Sequence, residues 1–198
     1  MEVNNMKVGS VYEVLFDMTA NKTISKYSTI IKAEDIALSY GVSEEVATEV
    51  ANKYEAARIL DEIASQKKIN QYTTGVDAPE MATAYCLPMD LAEVVANEYN
   101  AQIILAQLKN DHPITSHSTL LDASGIATAY GVTDEIASIV ASEYNSDSIV
   151  KRAKKKFSAT ILTPDAIAST YELEDEETAY KTAVKYNNKQ HKKFRGLI

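Results

Sequence analysis

Between Ser43 and Ala64 the apolar residues Val46, Ala47, Val50, Ala51, Tyr54, Ala57 and Leu60 recur at steps of three, four and one. That spacing puts them on one stripe of a helix, and with no glycine or proline to interrupt it the helix runs for about six turns. The stretch before it, around Ile36-Ala37-Leu38-Ser39-Tyr40, reads as a short helix of about two turns. Gly41 ends it, at a place where a left-handed backbone is favoured. Ser43 is placed to cap the long helix, with Glu44 and Glu45 beside the positive end of its dipole.

The same pattern returns along the chain. The corner tyrosine falls at Tyr40, Tyr85, Tyr130 and Tyr171, and a second tyrosine at Tyr54, Tyr99, Tyr144 and Tyr186. Other columns keep step: Ala37, Ala82, Ala127 and Ala168; Val42, Leu87, Val132 and Leu173; Ala51, Ala96, Ala141 and Ala183. The expected architecture is therefore all-α: four tandem helix-turn-helix-like repeats of about 45 residues, stacked as one helical array. The repeats divide as 1–54, 55–99, 100–144 and 145–198, with no Gly-, Ser- or Pro-rich linker between them. The segment Val8–Met18 supplies a leading helix. In the second unit Cys86 takes the glycine place as a small turn residue, and Pro88 with Met89-Asp90 starts the long helix. The fourth unit departs from the others: Glu172 replaces the glycine, one residue is inserted around Glu174-Asp175-Glu176-Glu177, and the end is basic, as expected of a terminal cap.

Composition adds limits. Apolar residues make up 45% and charged residues 24% of the chain, the balance of an ordinary globular protein. The start carries no secretory pattern, no apolar run approaches a membrane span, and one cysteine fits a reducing compartment, so the expected location is the cytoplasm. Net charge is −8, unevenly spread: residues 146–198 hold 11 basic and 7 acidic residues, a net of +4, which leaves −12 on residues 1–145. An acidic body argues against wholesale wrapping of nucleic acid and leaves room for a local basic contact at the C-terminal end.

The corner Ala37-x-x-x-Gly41-Val42-Ser43 has the spacing of a helix-turn-helix. A DNA-reading second helix needs Lys, Arg, Asn or Gln near its start. This chain places acids there in every unit: Glu44, Glu45 and Glu49; Asp90 and Glu93; Asp134 and Glu135; Asp175, Glu176 and Glu177. These starts repel phosphate, so the corner reads as a packing module. The first three acidic sets, Glu44 to Glu135, are the candidate surface for a protein partner. A second candidate is basic: Lys151, Arg152, Lys154, Lys155 and Lys156, followed by Lys192, Lys193 and Arg195. It reads either as a solvated helix end that meets the C-terminal dipole or as a contact for nucleic acid or an acidic partner.

Two stretches, Ile161-Leu162-Thr163-Pro164 with Ile167-Ala168-Ser169-Thr170-Tyr171, and Ile36-Ala37-Leu38-Ser39-Tyr40-Gly41-Val42-Ser43, carry a likeness to a known family. Each resembles the C-terminal helical region of ImmA/IrrE-type proteins, regulators from bacteria and their mobile elements that antagonise phage-type repressors. The zinc-binding His-Glu-x-x-His helix on which that family's protease depends is absent here; the histidines are His112, His117 and His191. The resemblance therefore implies a non-enzymatic relative from a phage or mobile element, a regulator or inhibitor that engages a host protein, itself a basic nucleic-acid-binding one in the simplest case. The alternative is a DNA-binding transcription regulator that acts through the basic fourth repeat. Neither a cofactor nor a metal is expected, since no phosphate-cradling glycine loop or metal-spaced His/Cys set is present. His117 lies 45 residues after Tyr72, which lies 45 after Tyr27, and reads as a packing residue in an aromatic slot.

Overall fold

In a computed structural model, residues 9–19, 24–157 and 161–195 are described, without the side chains of 154–156 and 191–195. Among them the chain is all-helical. A leading helix, α1 (Val11–Thr19), is followed by alternating short and long helices. These are α2 (Ala33–Tyr40), α3 (Glu44–Gln66), α4 (Ala78–Tyr85), α5 (Met89–Asp111), α6 (Ala123–Tyr130), α7 (Asp134–Lys156), α8 (Pro164–Tyr171) and α9 (Glu176–Arg195). Each short helix spans eight residues; α3, α5 and α7 span 23 each.

The repeat columns explain why. Ile36, Met81, Ile126 and Ile167 are the buried residues of the four short helices. On the long helices Ala47, Ala92, Ala137 and Ala179 are buried seven places before the second tyrosine. Val50, Val95, Val140 and Thr182 follow one turn nearer to it. Alanine at these positions removes side-chain bulk so that a neighbouring helix can approach closely, while the valines fill the space beside it. On α3 the buried stripe is Ala47, Val50, Ala56, Ile59, Leu60 and Ile63. Ala51, Tyr54 and Ala57 of the stripe expected from sequence are only half-buried, and beyond Val50 the fully buried residues lie on another face of the helix.

All four corners share one backbone. Gly41 (φ 65°) and Gly131 (φ 62°) are left-handed, and so are Cys86 and Glu172 (both φ 53°). The N–H of Gly41 and of Gly131 donates to the carbonyl of Ala37 and Ala127, and that of Leu87 and Leu173 to Ala82 and Ala168. Helix-terminating bonds thus converge on one alanine column. The fourth unit, with Glu172 in the glycine place, keeps the corner at the cost of a strained non-glycine residue, of order 1 kcal/mol. Cys86 does the same and stays exposed. Helix starts vary more. Ser43 and Thr133 accept from Val46 N–H and Ile136 N–H. Asp175, in the place of Ser43 and Thr133, accepts from the N–H groups of Glu177 and Thr178 and gives the fourth unit a charged cap.

The described chain forms two compact units: Met1–Lys67 with Ala78–Val95, and Lys68–Asp77 with Ala96–Ile198. In the first, α1 and α2 both pack on α3. In the second, α6 and α9 pack on α7, and α8 packs on α9. Ala101, Leu105 and Leu108 of α5 meet Ile126 of α6 and Ile136, Ala137, Val140, Ala141 and Tyr144 of α7 in one buried core. The boundaries between the units fall at 67/68, at 77/78 and inside α5 at 95/96, the last of them four residues before the sequence limit at 99.

Candidate functional site

Of the seven acidic residues singled out from sequence, four meet in one place. Glu44, Glu45 and Glu49 on the first turns of α3, with Asp90 on the first turn of α5, line an open groove of about 720 Å³ in the first unit. Thr48, Asn52, Lys53 and Val94 complete its walls. The Asn52 amide donates to Asp90 at 3.3 Å, and Lys53 lies 5.2 Å from the centre of the Tyr12 ring. All four acids are exposed, and among the described residues none of Glu44, Glu45 and Glu49 takes part in an ion pair. Glu93 is exposed on α5 outside the groove lining, and Asp134 and Glu135 are exposed on the first turn of α7 in the second unit. Chemically the groove offers carboxylates to cationic side chains, with no histidine, thiol or ordered acid–base pair among its lining residues.

The basic candidates divide differently. Lys151 donates its ammonium to the carbonyl of Ile114, and the Arg152 guanidinium donates to the carbonyl of Ser118. Both therefore fasten the loop before α6 onto α7, with the Ser148 hydroxyl on the same Ser118 carbonyl at 3.2 Å. The side chains of Lys154, Lys155, Lys156, Lys192, Lys193 and Arg195 lie outside the described residues; their backbone is helical.

Two arrangements escaped the sequence reading. The first is a carboxamide clamp. Asn100 accepts from Val76 N–H and donates to Val76 C=O, at 3.0 and 2.8 Å. Asn145 does the same to Leu121 at 2.7 and 2.8 Å, and Asn187 to Leu162 at 3.0 and 2.9 Å. Each amide satisfies both polar groups of one loop residue, as a neighbouring strand would. The signal was present as the dipeptides Tyr99-Asn100, Tyr144-Asn145 and Tyr186-Asn187. In the first unit the place belongs to Glu55, which pairs with Arg58 at 2.6 Å instead. There the loop is held through Lys26: its N–H donates to Asp61, and its C=O accepts from Arg58.

The second is an ionic network in the second unit. Glu143 of α7 lies between Lys181 (3.0 Å) and Lys185 (2.6 Å) of α9. Lys181 also meets Glu177, and Lys185 also meets Asp147, which holds Lys109 at 2.6 Å. Burial alone would raise the Glu143 carboxyl, but the ammonium groups of Lys181 and Lys185 outweigh it and hold the group far below its ordinary range. Burial likewise opposes Asp147, whose carboxyl Lys185 and Lys109 bring down. Burial would lower Lys181; Glu143, Glu98 and Glu177 together drive it well above the ordinary lysine value. This chain of alternating charges joins α9 to α7.

The position of His117 differs from the packing role expected of it. His117 is exposed, and Tyr27 and Tyr72 are 85% and 86% exposed. Their shared slot is the tip of a tight turn, so the recurring aromatic points to no core.

Among the described residues no group of three or more His, Cys, Asp or Glu is placed to hold a metal, and no helix is long and apolar enough to cross a membrane. Compared with protein-family models, with curated proteins and with solved structures, the chain matches none.

Proposed function

We propose that the chain is a non-enzymatic protein-binding module, a regulator or inhibitor that engages a basic surface of a host protein. The observation that carries this reading is the groove formed by Glu44, Glu45, Glu49 and Asp90, where four carboxylates stand exposed at two helix starts. A helix start already favours carboxylates through its dipole, so their presence alone is explained by folding. Their convergence on one open concavity goes further. It concentrates negative potential where a lysine- or arginine-rich segment fits, and such a field speeds encounter with a cationic partner. The resemblance of the corners to ImmA/IrrE-type regulators supports the regulatory part of the reading, and an origin in a phage or mobile element with it.

A capture experiment from a bacterial host lysate tests it, with the full chain beside the variant Glu44→Lys, Glu45→Lys, Asp90→Lys. The expected result is a stoichiometric basic protein on the wild-type chain, weakened by salt and absent from the variant. No stoichiometric partner, or one retained by the charge-reversed variant, would remove the groove as the binding surface.

A further inference from the structure

Three loops lead into the short helices, and each ends its turn on an exposed aromatic. In the first, Ser25 N–H donates to the Ser28 hydroxyl at 3.0 Å, Ser28 N–H to Ser25 C=O at 2.8 Å, and Tyr27 N–H to the Ser25 hydroxyl at 3.4 Å. Asn70, Tyr72 and Thr73 repeat the arrangement in the second loop, and Thr115, His117 and Ser118 in the third. The backbone at each tip is therefore held by its own bonds, and the turn needs no aromatic ring to form. Residues just before the tip differ: Lys26, Gln71 and Ser116. The tip itself stays a ring with a polar edge, and the exposed threonine two places on stays too, as Thr29, Thr74 and Thr119. Repeats that drift elsewhere on the surface have kept an exposed ring that buries nothing within the fold.

Charge separates these loops from the rest of the molecule. Residues 24–32, 68–76 and 112–121 contain no acid; Asp77, Asp111 and Asp122 border the second and third, and Asp61 accepts from the Lys26 N–H in the first. Cations stand on or against each: Lys26 and Lys32 in the first, Lys68 in the second, and Lys151 and Arg152 bonded to the carbonyls of Ile114 and Ser118 in the third. The Lys26 ammonium lies 5.3 Å from the centre of the Tyr27 ring, tying charge and ring together. Beside Tyr27 a cleft of about 510 Å³ has apolar walls from Met18, Ile24, Ile31 and Tyr54, with the polar Ser28 and Thr29 also lining it.

We propose that the turn tips Tyr27, Tyr72 and His117 are contacts for single-stranded nucleic acid. A flat ring held outward on a rigid turn is a platform for an unstacked base, and a neighbouring lysine with hydroxyls suits the phosphate and sugar beside it. The cleft at Tyr27 gives the first tip an apolar recess in which a base is sheltered from water. An acidic protein surface would meet the lysines but would leave the rings without a stacking partner. Duplex nucleic acid keeps its bases stacked on each other, so its faces are closed to these tips. None of these tips is among the residues that line the carboxylate groove, and each, within its own unit, is a contact that does not depend on the protein-binding reading.

Anisotropy titrations of the full chain with labelled oligo(dT) and oligo(U) of about 30 nucleotides at low salt, beside a duplex of equal length, test the proposal. Both single strands are expected to bind, or one alone if the site distinguishes sugar, and more tightly than duplex. The variant Tyr27→Ala, Tyr72→Ala, His117→Ala is expected to bind about tenfold or more weakly, while Tyr27→Phe with Tyr72→Phe retains binding because stacking survives. Exposed tips leave the fold unchanged, which circular dichroism verifies. Glu44→Gln with Glu45→Gln leaves strand binding intact, so failure of the groove reading and failure of this one are read separately. Absence of single-strand binding, equal affinity for duplex, or unchanged affinity in the alanine variant would overturn the proposal.

Discussion

Lys53 and Glu143 hold the same place in their repeats, one residue before the second tyrosine, and their surroundings could hardly differ more. In the first unit Lys53 lies along an open acidic groove, against the Tyr12 ring. In the second, Glu143 is enclosed between α7 and α9 with two lysines on it and three-quarters of its side chain covered. The neighbouring place, five before the tyrosine, is the exposed Glu49 in one unit and Lys181, 12% exposed, in the other. One repeat template thus presents charge to solvent where no following helix covers it, and neutralises charge internally where one does. The first pattern leaves carboxylates available to a partner; the second commits them to the fold.

Removing a charge from the covered place should have the largest effect. Glu143→Ala leaves Lys181 and Lys185 without their shared counterion, and urea denaturation should show a loss of about 3 kcal/mol. The same network sets a pH profile. The Glu143 and Asp147 carboxyls titrate lower in the folded chain than their ordinary 4.5 and 3.8, so their contribution is complete above those values and is lost as pH falls through the depressed ones. Lys181 titrates above its ordinary 10.5, so its contribution is complete below that value and is lost as pH rises through the raised one. The network's contribution should therefore be constant between these limits. Glu143→Gln should flatten the acid limb, and an unchanged acid limb in that variant would mean that other carboxylates control it.

Next in size comes the clamp. Asn145→Ala strips Leu121 of both hydrogen bonds and should cost about 2 kcal/mol, with faster hydrogen exchange at Leu121 N–H as its local signature. Smaller still are the corners. Cys86→Gly and Glu172→Gly should each raise stability by about 0.5–1 kcal/mol, because glycine adopts the left-handed backbone without strain. Glycine's greater freedom in the unfolded chain limits the gain. At the open end of the scale, Glu44→Gln with Glu45→Gln should shift stability by no more than about 0.5 kcal/mol. A large loss there would erase the distinction between the two regions, since it would mean that the groove carboxylates hold the fold together.

The helices were legible in the sequence to within a few residues, as Glu44–Gln66 and Asp134–Lys156 show, because apolar spacing and turn residues are local properties. The corner was legible too, in the fourth unit even with Glu172 in the glycine place. Hydrogen bonds from the following N–H groups to the alanine column hold a left-handed residue even without glycine. The acidic residues were visible as helix starts, but which of them meet was not. Glu44 and Asp90 are 46 positions apart and share a groove only because α3 and the start of α5 belong to one unit. Lys151 and Arg152 were visible as charge, and their binding to Ile114 and Ser118 carbonyls was not.

Periodicity by itself determined the helical class, the short-long alternation and the four corners, since each follows from backbone preferences within about a dozen residues. Tertiary structure alone decided what equivalent places do. It set whether a carboxylate faces water or two lysines, whether an asparagine on a long helix grips a loop 24 or 25 residues earlier, and whether a recurrent aromatic is buried. The physical reason is that burial and ion pairing depend on which neighbour arrives to cover a side chain, and a repeat encodes its own shape more fully than its surroundings.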